Sequence, residues 1–116
     1  MILTTDEVYE FVLAKEKGKP EPTVFLIKEM SCGVSNIISN EATTRDKFGN
    51  IKVLLGEASK LLILNCLVGW RNLKNKKGEE VSFSIENIMK LPGFVQTEIN
   101  NEINRISTPT DEERKN

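Results

Sequence analysis

The sequence predicts an α+β fold, mainly α: about four helices around a buried central helix, with a small antiparallel N-terminal sheet. Three observations predict it. The densest apolar run, LLILNCLVGW from Leu61 to Trp70, begins as a helical stripe and becomes apolar nearly all round, the pattern of a helix covered on several sides. Two segments near the N-terminus, Val8–Leu13 and Thr23–Lys28, are rich in β-branched and aromatic residues. A third apolar stripe, Leu91, Val95, Ile99, Ile103 and Ile106, has helical spacing close to the C-terminus.

The elements follow in order. Thr4-x-x-Glu7 has the form of a capping box, yet Tyr9, Phe11 and Leu13 alternate on one face, which favours a strand over Val8–Leu13. KEKGKPEP, from Lys15 to Pro22, is a charged loop in which the prolines forbid a helix. Thr23–Lys28 is then a strand able to return antiparallel beside the first. Ser31 caps a helix reaching about Ala42, with Val34, Ile37 and Ile38 as its stripe. Phe48-Gly49-Asn50 signals a turn, and Ile51–Leu55 reads as a short strand or a lead-in to the next helix. The central helix runs from Glu57 to about Val68. Asn65 interrupts its apolar surface, and a bond to a neighbouring backbone group is the simplest role for it.

RNLKNKKGEE, from Arg71 to Glu80, is a solvated turn with Gly78 supplying a positive φ. Its bases have no interleaved aromatics, as single-strand binding would want. Ser84 caps a short helix in which Glu86 pairs with Lys90. Pro92 ends that helix and opens the last, which runs to about Ile106. Residues 1–106 form a single domain on this reading, and 107–116 a flexible polar C-terminal tail.

Composition excludes several functions. The chain has 116 residues, 39% of them apolar, enough for one core without staples, and a net charge of -1 gives no general drive toward nucleic acid or an anionic membrane. It has no histidine, which removes the commonest general base and a favoured zinc ligand. There is no Gly-rich phosphate loop and no CxxC or HExxH spacing, so no metal or cofactor is expected. Glu98 and Glu102 share a helix face, but exposed acids on an amphipathic helix are ordinarily its wet side. Cys32 and Cys66 leave a disulfide open, with two buried thiols the commoner arrangement. No secretory leader is expected from MILTTDEVYEF, and the apolar run is too short to span a bilayer. Trp70-Arg71 reads either as a cation–π or recognition anchor or as a tryptophan sealing the end of the buried helix.

From Leu67 to Pro92 a pattern emerges: LVGWRNL, a charged stretch with Gly78, then EEVSFSIENIMKLP. It resembles the core of the tail assembly chaperones of long-tailed bacteriophages. There a G-W-x-x-[LVF] step is followed by a [DE]-G-x-x-[VL]-x-F-[ST]-x-E-N turn and a Leu-Pro step into a terminal helix. The matching positions are Gly69, Trp70, Leu73, Gly78, Val81, Phe83, Ser84, Glu86, Asn87, Leu91 and Pro92. Lys77 stands where the family has an acid, and Lys74 and Lys76 make the turn more basic than in many relatives.

The resemblance implies a non-enzymatic protein of the infected host's cytoplasm. It would bind the tape-measure protein, and the tail tube protein as a further partner, and keep the tape measure soluble and extended during tube polymerisation. It would be absent from the mature virion. A structural tail-completion or head–tail joining protein is the alternative, and a small enzyme a distant third. The partner-binding residues expected are Trp70, Arg71, Phe94, Ile99, Ile103 and Ile106. The self-association or tape-measure surface is placed at the end of the last helix together with Ile63–Leu67, because Ile103 and Ile106 lie just before the breaker Pro109 and a polar tail, where intramolecular cover is thinnest. No nucleic acid and no membrane partner is expected.

Overall fold

A computed structural model describes residues 1–108. The chain runs β1 (Tyr9–Val12), a single 3-10 turn (Ala14–Glu16), β2 (Val24–Ile27), α1 (Cys32–Glu41), β3 (Thr43–Arg45), β4 (Ile51–Val53), α2 (Leu55–Cys66), β5 (Leu67–Arg71), α3 (Ile85–Ile88) and α4 (Gly93–Ser107). Most of the tail expected at 107–116 lies outside the described residues.

Two antiparallel sheets form. One has the order β1-β2-β5, and the other is the hairpin β3-β4. The N-terminal pair closes as the alternation predicts, with Tyr9 opposite Ile27 and Phe11 opposite Phe25. The third strand is new. The central helix does not continue to Val68; it ends at Cys66, and Leu67 turns directly into β5. Val68 is β-branched and Gly69 is a poor helix former, so pairing with β2 wins over another helical turn. Lys28 N–H donates to Cys66 C=O at 2.9 Å and carries the contact to the helix end.

That strand overturns the expected architecture. Described residues are about 41% helical and 19% strand, too much strand for a bundle with a side sheet. Nor is α2 a buried hub ringed by helices. Only its second half, Leu61, Leu62, Ile63 and Cys66, is buried, while Leu55 at its start is 76% exposed. The core lies instead at the seam between one face of the three-stranded sheet and the helices α2 and α4. Phe25, Ile27, Ile63, Cys66, Leu67, Val95, Ile99 and Ile103 meet there, joined by Leu13, Leu62 and Ile88. The all-round apolar pattern of Leu61–Trp70 thus combines a helix stripe with a strand stripe.

Pairing across β5 is irregular. Phe25 opposes Trp70, Leu26 opposes Gly69 and Ile27 opposes Leu67. Val68 and Gly69 therefore stand against the single residue Leu26, which is a β-bulge. A Cβ at Gly69 would lie 3.3 Å from Leu26 Cδ1, so glycine lets the two strands approach there.

Local signals read from the sequence recur in the structure. Ser31 Oγ accepts from Val34 N–H at 3.2 Å, and Ser84 Oγ from Asn87 N–H at 3.1 Å. Gly78 has φ +78°. Lys90 pairs with Glu86 at 3.4 Å. Asn65 Nδ2 donates to Leu61 C=O at 2.7 Å. The Thr4 hydroxyl does not cap a helix. It donates to Glu29 Oε1 at 2.7 Å, and Tyr9 OH donates to the same carboxylate at 2.9 Å. That bond to Glu29 is the main reason the Tyr9 phenol is pushed up to about 12. Both cysteines are free; Cys66 is buried, but Cys32 is exposed at the start of α1, against the expectation of two buried thiols.

Candidate interaction surfaces

The six residues expected to bind a partner separate. Ile99 and Ile103 are both 0% exposed and belong to the core, so neither forms a surface. Ile106 packs half-buried against the same cluster. The end of α4 is well covered, contrary to the reading from Pro109. Met30 N–H donates to Ser107 Oγ at 2.8 Å, and Ser107 Oγ donates to Ile103 C=O at 2.6 Å. These bonds tie the helix end to the loop between β2 and α1. The proposed face at Ile63–Leu67 is likewise mostly core: Ile63, Cys66 and Leu67 are buried.

Trp70 is half-buried and belongs to the scaffold. Its ring stands edge-on to Phe25 and to Phe83, with centroids at 6.2 and 4.9 Å. Its Nε1–H donates to Val81 C=O at 2.8 Å. Arg71, next along the strand, turns to the other side, so no cation–π contact joins the two. Arg71 Nη2 instead meets Glu10 Oε1 at 2.7 Å, reaching over β2 from the opposite edge of the sheet. Phe94 is about half exposed, with Lys15 Nζ 4.4 Å from its ring centroid.

The segment that carries the family resemblance folds as one hydrogen-bonded unit. Val81 N–H donates to Leu73 C=O at 2.8 Å, and Asn87 Nδ2 to Ser82 C=O at 2.9 Å. Asn75 closes the basic turn: its Oδ1 accepts from Lys77 N–H at 2.9 Å and from Glu79 N–H at 3.1 Å. Trp70, Asn75, Ser84 and Asn87 each hold backbone in place with a side-chain bond.

Two surfaces missed by spacing stand out. The first is an arm. Hairpin β3-β4 turns through Asp46–Asn50, with Gly49 at φ +83°. Asp46 Oδ1 accepts from Phe48 N–H at 2.8 Å and Asn50 N–H at 3.0 Å, which holds its carboxyl below the usual aspartate value. Phe48 is 78% exposed and Ile51 69%, and Val53, Leu54 and Leu55 are exposed too. The turn at Phe48-Gly49-Asn50 and the short strand after it are legible in the sequence; the exposure of their apolar residues is not.

The second is a groove of about 580 Å³ between α1, α2 and α4. Gln96, Asn100 and Asn104 of α4 line one side. Gly56, Ala58 and Ser59 of α2 and Ser35 and Ser39 of α1 line the other, with Ile38 and Leu62 also contributing. Asn100 Nδ2 donates to Ser59 C=O at 3.1 Å, whereas its buried Oδ1 has no donor among the described residues. The i, i+4, i+8 spacing of these amides was available in the sequence, beside the stripe Val95, Ile99, Ile103.

Among the described residues no group of three or more His, Cys, Asp or Glu is placed to hold a metal ion. Among them, too, no helix is long and apolar enough to cross a membrane. In comparisons with protein families, curated proteins and solved structures, nothing matches the chain.

Proposed function

We propose that the protein is a tail assembly chaperone of a long-tailed bacteriophage. It binds the tape-measure protein in the host cytoplasm, keeps it soluble and extended while tail tube subunits polymerise, and leaves before the virion is complete. The motif from Gly69 to Pro92 suggests the family, and the apolar arm is the observation that carries the reading. A tape measure exposes apolar helix faces until the tube covers them, and a chaperone must offer apolar surface of its own. Phe48, Ile51 and Val53 offer it on the hairpin, whose strand β4 is exposed at every residue, and Leu54 and Leu55 continue it into the start of α2.

Co-expression with the neighbouring tape-measure gene product tests this. The expected result is rescue of its solubility by the wild-type chain and loss of rescue with Phe48→Ser/Ile51→Ser. A tape measure that precipitates equally with and without the protein would overturn the reading. So would the protein's presence in mature particles by mass spectrometry.

A further inference from the structure

We propose that the cleft beside Phe94 binds an acidic segment of a second polypeptide, which lays an apolar side chain on Phe94 and offers carboxylates to Lys15 and Lys74. The cleft, of about 350 Å³, shares no residue with the arm, so the inference does not rest on the chaperone reading.

Shape comes first. The 3-10 turn at Ala14–Glu16, the start of β2, the residues after β5 and the first turn of α4 surround the cleft. Leu13, Phe25 and Val95 close its floor as part of the core, and Leu73, Leu91 and Phe94 form its sides. The walls are held before anything binds. Ala14 N–H donates to Glu98 Oε1 at 3.4 Å, Thr23 N–H to Glu16 Oε1 at 3.4 Å, and Thr23 Oγ1 to Asn72 C=O at 2.8 Å. A preformed apolar cleft with a few polar groups around it is the usual form of a binding site, and binding there needs little reordering.

Charge comes second. Lys15 and Lys74 both line the cleft, and both are exposed. Lys15 Nζ lies 4.4 Å from the Phe94 ring centroid and meets no carboxylate among the described residues. Lys74 reaches Glu21 at 3.9 Å, with both side chains open to solvent, and such pairs contribute little. Glu16, the acid among the described lining residues, is already used: Oε2 takes Lys19 and Oε1 takes Thr23 N–H. The start of α4 adds to the field. Its N-cap, Pro92, makes no side-chain bond and its first turn holds no acid, so the positive end of the helix dipole is uncompensated. An apolar floor beside this much positive charge complements a partner that is apolar and acidic together.

A second cleft, of about 490 Å³, decides the kind of occupant. The two share Leu73, Leu91 and Pro92, which form a ridge between them. A small free acid fills one cleft, whereas a polypeptide segment crosses the ridge and places another side chain beyond it. Charges lining the second cleft offset each other, Glu80 against Lys90, so the acids of the segment belong at the first.

The test uses the full chain, isotopically labelled for NMR, and the probe peptide acetyl-Asp-Glu-Phe-Ser-Leu-Asp-Glu-amide. Saturable shifts of the backbone amide signals of Lys15, Lys74, Phe94 and Val95 are expected, with those of Phe48 and Ile51 unmoved. A neutral peptide with Asn and Gln in place of the acids should bind about fivefold more weakly, the fold-change of two exposed ion pairs. Lys15→Glu/Lys74→Glu alters two exposed side chains, so it should fold as the wild type does. It should lose the acidic peptide and prefer one with lysines in place of the acids, a reversal that a merely structural role would not produce. Phe94→Ser should weaken every one of these peptides. No saturable shift at millimolar peptide would overturn the proposal. So would equal binding of the neutral peptide, or tighter binding of octanoate than of the acidic peptide. A dimer in sedimentation that Phe94→Ser dissolves would give the cleft to a second copy of the chain and overturn it too. None of these results touches rescue of the tape measure by the arm, so the two readings fail separately.

Discussion

Leu67 and Trp70 lie three residues apart in one strand and face the same side of the sheet. Regular alternation would send them to opposite sides. The bulge at Val68-Gly69 removes the mismatch, so Leu67 opposes Ile27 and Trp70 opposes Phe25 on the core face. Trp70→Phe keeps the edge-on rings but leaves Val81 C=O without its donor, and should cost about 1 kcal/mol. Trp70→Ala should cost about 3 kcal/mol, since the site is packed on two aromatic sides yet partly open. Urea melts of both variants check the order; equal losses would mean that the rings contribute nothing.

Ile103 supplies a second prediction. It is fully buried under the end of α4. Ile103→Ala should therefore cost roughly 2–5 kcal/mol, and Ile103→Asp should prevent cooperative folding. A well-folded Ile103→Asp monomer in circular dichroism and urea melts would contradict its place in the core.

Strong acid should loosen the turn of the arm locally, below the ordinary aspartate range. Asp46 has its carboxyl lowered, first by the Asn50 amide and then by the Phe48 amide. A group with a depressed folded pKa stabilises the fold above its unfolded value, near 3.8, and that contribution is lost as pH falls through the folded value. Amide signals of Phe48 and Asn50 should shift in that acid range while those of Ile99 hold. Simultaneous change throughout the chain would mean that the turn is not an independent unit.

The two thiols should differ in reactivity. Burial pushes Cys66 from an ordinary 9.0 up to about 11, while Cys32 is exposed. A thiol reagent at pH 8 should modify one cysteine quickly and the second only on unfolding. Because the folded pKa of Cys66 is raised, its contribution to stability is complete below about pH 9 and declines as pH climbs toward 11. Two equally fast modifications in the native state would refute the burial.

Much of the local structure was legible in the sequence because it depends on neighbours. Ser31, Ser84, Gly78 and the Glu86–Lys90 pair act within four residues, and the N-terminal hairpin follows from alternation. The third strand was not legible: LVGWR continues an apolar helix without a polar break, and its pairing with β2 is a contact across some forty residues. The fate of α4's end was hidden for the same reason. Spacing placed Ile103 on a stripe, but only the bond from Met30 to Ser107 shows what lies over it. The arm was hidden from the opposite side, since Phe48, Ile51 and Leu55 look like core residues and nothing among the described residues covers them.

Trp70 is the chain's single tryptophan, so all of its indole fluorescence comes from one place. That place is the joint between β5 and the return segment Val81–Phe83. The emission is thus an unlabelled gauge of this joint alone. Slackening of the Val81 bond moves it to longer wavelength. A change confined to the groove between α1, α2 and α4, whose lining includes neither Trp70 nor its ring and hydrogen-bond neighbours, leaves it silent. One cuvette can therefore tell a loosening of this joint from a change between the helices.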